Sequence, residues 1–91
     1  ITVHLPSRTV SADGTSFSLT HTEFEMLVHL MRNKGIVVTR EQLIMKIWGY
    51  DFVGDARTVN SHIRNLRSKL GEHAKRIVTV VRSGYKFEDQ P

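Results

Sequence analysis

The sequence predicts an α+β domain in which β-rich segments at both ends enclose a helical middle. Three observations carry that prediction. Apolar residues alternate with period two over residues 1–19, recur at helical spacing over residues 20–71, and return as dense β-branched and aromatic runs over residues 76–88. Ninety-one residues make one domain with one small core, which excludes an enzyme with separate cofactor and substrate lobes. A composition of 40% hydrophobic and 24% charged residues is that of a folded globular chain. No apolar run approaches the ~18 residues of a membrane span. With no cysteine, disulfides, thiolate catalysis and Cys-based metal clusters are excluded, and a reducing cytoplasm is the default compartment. The chain starts at Ile1 without a signal-peptide pattern and reads as part of a longer protein.

Ile1, Val3 and Leu5 share one side of a first strand, Thr2 and His4 the other, and Pro6-Ser7 breaks it. A second run from Arg8 to Ala12 meets Asp13-Gly14, a strong hairpin signal, after which Phe17 and Leu19 alternate in a third run. Thr20-His21-Thr22-Glu23 is a capping box, so a helix starts there. Phe24, Leu27, Val28 and Met31 give it one buried face before Gly35 stops it. Val37-Val38 is a brief extended link. Thr39-Arg40-Glu41-Gln42 is a second capping box, and Leu43, Ile44, Ile47 and Trp48 mark a short helix from about Arg40 to Trp48. The aperiodic segment Gly49 to Asp55 is a loop, with Asp55 the expected N-cap of a third helix. Ala56, Val59, Ile63, Leu66 and Leu70 form the stripe of that amphipathic helix, which is about 22 Å long and ended by Gly71. Ile77 to Val81 and Tyr85 to Phe87 flank Arg82-Ser83-Gly84, which makes a terminal hairpin.

The net charge of +4 is unevenly spread. Residues 56–86 hold eight Lys and Arg against Glu72 alone, whereas residues 1–55 hold five basic and six acidic residues. Such a field captures polyanions, so nucleic acid or an anionic membrane is a candidate partner, with a merely solvated basic face as the alternative. When the third helix turns its apolar stripe inward, Ser61, Asn65 and Ser68 fall near the opposite crest beside Arg57 and Thr58. His62, Arg64 and Lys69 lie on the shoulders, and Arg67 sits near the apolar edge. That helix has no carboxylate. Short hydrogen-bonding groups flanked by cations suit a helix laid in the DNA major groove, amides and hydroxyls meeting base edges and cations the phosphate rims. Three helices of which the last is basic, followed by a hairpin with cations near its turn, make a winged helix-turn-helix. At the hairpin turn Arg82 either enters a minor groove or belongs to a wing that merely covers the core.

Leu19-Thr20 through Phe24, Leu27 and Leu30, then Val38-Thr39-Arg40-Glu41 and Leu43, Trp48-Gly49-Tyr50, the run from Arg57 to Leu70, and Gly84-Tyr85-Lys86-Phe87 resemble the OmpR/PhoB-type DNA-binding effector domain of bacterial response regulators. The resemblance covers almost the whole chain, which is then one winged-helix domain over residues 1–91 with sheet 1–19, three-helix core 20–71 and wing 76–88. It implies a four-stranded N-terminal sheet, an upstream phosphorylatable receiver domain, and two subunits head to tail on direct-repeat sites in the cytoplasm. It further implies that the loop carrying Tyr50, Asp51, Phe52 and Val53 meets RNA polymerase. By position, Asn60, Ser61 and Asn65 would face bases, while Trp48, Arg57, Thr58, His62, Arg64 and Arg67 would hold phosphates. Two departures stand out. The wing reads Thr79-Val80-Val81-Arg82-Ser83-Gly84-Tyr85 where the family commonly has T-V-R-G-x-G-Y, so its arginine is displaced by one residue. Asn65 is neutral where relatives are often basic, which weakens phosphate attraction and favours adenine.

The five histidines form no His-x-x-x-His pair and none sits in a metal-ligating carboxylate pattern, so neither a metal nor a cofactor is expected. Without a nucleophile elbow or a phosphate-cradling glycine loop, no enzyme is indicated. Trp48 either packs on the core or points its indole N–H at a phosphate, and Tyr50, Phe52 and Val53 either fold back on the core or form a protein-contact patch. The function the sequence supports is sequence-specific double-stranded DNA binding by a transcription regulator, with helix 56–70 in the major groove. The rival is a winged-helix protein-interaction module with a basic docking face. Membrane attachment is poorly supported, because the outer side of that helix has no Trp, Phe or Leu to enter lipid.

Overall fold

In the computed structural model, which describes residues 1–89, three short strands lead into the helices: β1 (Thr2–His4), β2 (Thr9–Ala12) and β3 (Thr15–Phe17). They pair antiparallel in chain order, Val10 facing Val3 on one side and Phe17 on the other. Ala12 pairs with Thr15, so the β2–β3 turn is the two residues Asp13 and Gly14, both at positive φ (51° and 80°), as a primed hairpin turn requires. The sheet has three strands among the described residues, not the four that the family resemblance implied. Gln90 and Pro91, the last two positions of the expected domain, lie outside the described residues.

Helix α1 (His21–Arg32) begins at the predicted capping box: Thr20 Oγ1 accepts from the Glu23 N–H and Glu23 Oε1 from the Thr20 N–H. More of α1 is buried than one stripe. Met26 and Leu30 are fully buried beside Phe24, Leu27 and Val28, while Met31, assigned to the buried face, is half-exposed. The cause is position, since α1 packs against both other helices and the C-terminal sheet at once. Helix α2 (Arg40–Ile47) also starts at its capping box, with Thr39 and Gln42 exchanging bonds, and Trp48 is its C-cap.

Helix α3 (Arg57–Leu70) buries Val59, Ile63, Leu66 and Leu70 almost completely. Its N-cap position falls on Ala56, not on Asp55 as expected. Asp55 still serves the first turn, because its carboxylate accepts from the Arg57 N–H at 2.8 Å. A 3₁₀ turn over Gly71–Arg76, which the sequence pattern does not announce, then leads to the terminal hairpin.

The expected link at Val37-Val38 is in part a strand, β4 (Val38–Thr39). The hairpin strands are β5 (Ile77–Val80) and β6 (Gly84–Phe87). β4 pairs with β6, so the C-terminal sheet runs β4-β6-β5 and the wing is sewn to the segment that opens α2. Gly84 allows this. At φ 156°, a Cβ there would lie 2.8 Å from Thr39 Cα and closer still to the Val38 carbonyl oxygen. Phe87 and Tyr85 drop from β6 into the core with Ile77, beneath α1 and α3.

Candidate nucleic-acid interface

With its stripe sealed inside, α3 turns Ser61, Arg64, Asn65 and Ser68 fully outward, and Arg57 at its start is exposed as well. Thr58 and His62 are half-buried at the margin. No carboxylate lies on the helix. Arg64 and Arg82 are exposed and enter none of the ion pairs among the described residues. Arg82 occupies the β5–β6 turn at φ 66°, a left-handed conformation that arginine rarely adopts.

Three other predicted residues look inward. Lys69 reaches across to α1, where its Nζ lies 2.6 Å from Oε1 of Glu23, a carboxylate only 3% exposed. Burial pushes the Glu23 carboxyl up. The Lys69 and Thr20 hydrogen bonds and the Lys69 charge outweigh it and hold the group below its ordinary 4.5. Arg67 donates to the Ile77 carbonyl through Nε and Nη2 and to Thr79 Oγ1 through Nη2, tying α3 to the wing. Asn60 accepts at Oδ1 from Arg40 Nε at 2.8 Å and from the Tyr85 hydroxyl at 2.6 Å. The Arg40 and Arg67 guanidinium groups both lie over the Tyr85 ring, 5.3 and 5.4 Å from its centre. Arg67 and Lys69, expected among the cations of the DNA face, thus each make an internal contact, Arg67 with the wing and Lys69 with α1. Nothing local in the sequence marks these partners, which come from 10, 12 and 46 residues away.

Arg57 makes a two-residue clamp with Asp55, its Nη2 2.8 Å from Oδ2. The bonds to Arg57 depress the Asp55 carboxyl, and Asp55 in turn raises the guanidinium. Both groups stay wet, so the pair is weak and readily exchanged for another anion. Trp48 is half-buried, its ring 5.0 Å from Phe52 and 5.6 Å from His62. The loop after α2 therefore divides. Phe52 folds back onto Trp48, whereas Tyr50 and Val53 stand 93% and 95% exposed, with Asp51 also exposed.

Folding also makes one grouping that the histidine spacing did not predict. His73 in the 3₁₀ turn lies 3.2 Å from Asp13 and 3.8 Å from Glu72, and among the described residues these three are the side chains able to share a metal ion. The contact between Asp13 and His73 brings the β2–β3 hairpin against the 3₁₀ turn. No helix of the described residues is long and apolar enough to cross a membrane.

Residues 14–87 match the family described as "Transcriptional regulatory protein, C terminal". The chain is similar to the transcriptional regulatory protein ResD of Bacillus subtilis, with 49% identity over 83 residues, covering 87% of this chain and 35% of that protein. It thus spans about a third of the length of that curated relative. Among solved structures it resembles the DNA-binding domain of Bacillus subtilis CssR, with a TM-score of 0.85 at 31% identity over 94% of this chain and 97% of that one. It also resembles the Klebsiella pneumoniae RstA DNA-binding domain in complex with the RstA box, with a TM-score of 0.84 at 31% identity over 94% of this chain and 88% of that one. The sealed helix stripe, the sheet-bound wing and these matches together place the chain in the family of transcriptional regulatory C-terminal domains, the winged helix-turn-helix effector domains of OmpR/PhoB-type response regulators.

Proposed function

We propose that the chain is the DNA-reading unit of a transcription regulator and binds duplex DNA sequence-specifically by laying the outer side of α3 in the major groove. One observation carries this reading. The longest helix buries its whole apolar stripe and yet exposes a row of amides, hydroxyls and arginines with no carboxylate among them. A helix built only for solubility mixes signs along its outer side. In this reading Ser61 and Asn65 meet base edges, with Asn60 beside them, while Arg57, Thr58, His62 and Arg64 take phosphates. Arg57 exchanges Asp55 for a phosphate on binding. Trp48 holds His62 in place more than it binds phosphate itself, and Arg67 and Lys69 brace the helix from behind. Arg82 at the wing tip approaches a neighbouring groove.

Residues 1–89 act as one binding domain, since the wing, β4 and α3 are tied by shared hydrogen bonds. As in the family, the domain works as a tandem pair on direct repeats, under an upstream receiver domain, in the cytoplasm. The exposed Tyr50 and Val53 offer RNA polymerase an apolar contact. The test is duplex affinity against salt. With about three cations per subunit on phosphates, log Kobs falls against log salt with a slope of about −2.7 per subunit, and one sequence outcompetes the rest. Affinity without sequence preference, or without salt dependence, would favour the protein-docking alternative.

A further inference from the structure

We infer that the Arg40–Asn60–Tyr85 network makes Asn60 a donor-only reader, one that rejects cytosine at the base it faces. The inference rests on the proposed placement of α3 in the major groove and adds what Asn60 can recognise there. A free asparagine amide is two-faced and reads adenine with both ends, accepting from N6 and donating to N7. Asn60 has lost that option. Arg40 Nε carries a hydrogen and has no lone pair to offer, so the amide atom 2.8 Å from it is the oxygen. The Tyr85 hydroxyl donates to the same oxygen at 2.6 Å, which uses its second lone pair. Arg40 comes from the start of α2 and Tyr85 from the wing strand β6, so two separate elements fix one side-chain orientation.

The group left for a ligand is the Nδ2 amino group. It donates to no internal partner among the described hydrogen bonds, and it is not among the buried atoms left without one, so it is open to solvent on the half-exposed residue. An NH₂ group needs an acceptor. Guanine O6 and N7, adenine N7 and thymine O4 all supply one in the major groove, whereas cytosine presents only its N4 amino donor. Asn65 differs, being exposed and without internal side-chain hydrogen bonds among the described residues, so both ends of its amide stay available for adenine. Arg40 and Tyr85 are accordingly positioning residues that set the recognition chemistry of a third residue.

Asn60→Asp tests this cleanly. One carboxylate oxygen keeps both internal bonds, and the outward group changes from a donor to an acceptor. Selection of bound sequences from a random duplex pool, run with the wild-type chain and with Asn60→Asp, should differ at one position of each half-site. The wild type disfavours cytosine there, and Asn60→Asp prefers it, a reversal of at least about fivefold. If that variant does not fold, Asn60→Ala serves instead, and discrimination against cytosine should vanish at that position alone. An unchanged motif in a variant that binds overturns the inference, as does a uniform loss across all sequences, which would mean that Asn60 faces a phosphate. A wild-type chain that selects no motif at all refutes the DNA-binding reading itself, an outcome separable from the others.

Discussion

Replacing Lys69 with methionine keeps the aliphatic stem of the side chain and removes its charge, which strands the Glu23 carboxylate beneath α3. Breaking a fully buried pair costs about 3–5 kcal/mol. Two features of this pair lower the figure: Lys69 is 38% exposed, so water screens it, and Glu23 keeps its bonds from Thr20. About 1–2 kcal/mol remains after that discount. In a domain of this size each kcal/mol moves Tm by ~4–8 °C, so a fall of about 4–16 °C is expected at neutral pH. The deficit should shrink in acid, where the wild-type carboxylate also becomes protonated. Thermal unfolding of Lys69→Met, paired with duplex binding over a salt series, separates a strut from a phosphate clamp. A strut lowers Tm and leaves the salt slope alone, whereas Arg64→Ala should hardly move Tm and should cut the slope by ~0.9. If Lys69→Met keeps its Tm and loses slope, the role assigned to Lys69 is wrong.

Acid should weaken the fold in two stages. His29 is held below its ordinary 6.5 by burial and by Lys46 and Arg32, and Glu23 is held below 4.5, so the folded state binds fewer protons than the unfolded chain in both ranges. Denaturant midpoints should therefore fall first below pH 6.5 and again below pH 4.5, and a flat profile from neutral pH down through both ranges would contradict both assignments. Gly84→Ala drives a methyl into the backbone of β4 from a φ that alanine resists, and should cost about 3 kcal/mol or more. Amide exchange would report it as lost protection in β4 and β6, and unchanged protection there would refute the close approach. Asn65→Ala should alter base preference at one half-site position by ~1–3 kcal/mol and leave the other positions alone, as a selected-sequence profile would reveal.

Much of the fold was legible because it is local. Both capping boxes involve residues three apart, and the stripe of α3 is set by one helix's own period, so the burial of Val59, Ile63, Leu66 and Leu70 and the exposure of Ser61 and Asn65 could be read directly. The features that escaped depend on which distant element arrives nearby. Two residues at Val38-Thr39 carry too little pattern to announce a strand, and their partner in β6 lies more than 40 residues on. Arg67 and Lys69 have the composition of phosphate ligands, and only the approach of β5 and of Glu23 turns them inward. Asn60 obeys the same rule. The family resemblance is what implies base reading for it, while the part of its amide left to read with is decided by Arg40 and Tyr85. Asp13 is likewise brought to the adjacent pair Glu72-His73 only by the fold.

A crystal structure of the domain on a duplex carrying its selected sequence would show whether the outer side of α3 enters a major groove. In that complex Ser61 and Asn65 should lie within hydrogen-bonding distance of base edges and Arg64 on a phosphate, with the Lys69–Glu23 pair intact behind them. A complex in which α3 faces away from the duplex, with DNA held by the N-terminal sheet or by the Tyr50–Val53 loop, would contradict it.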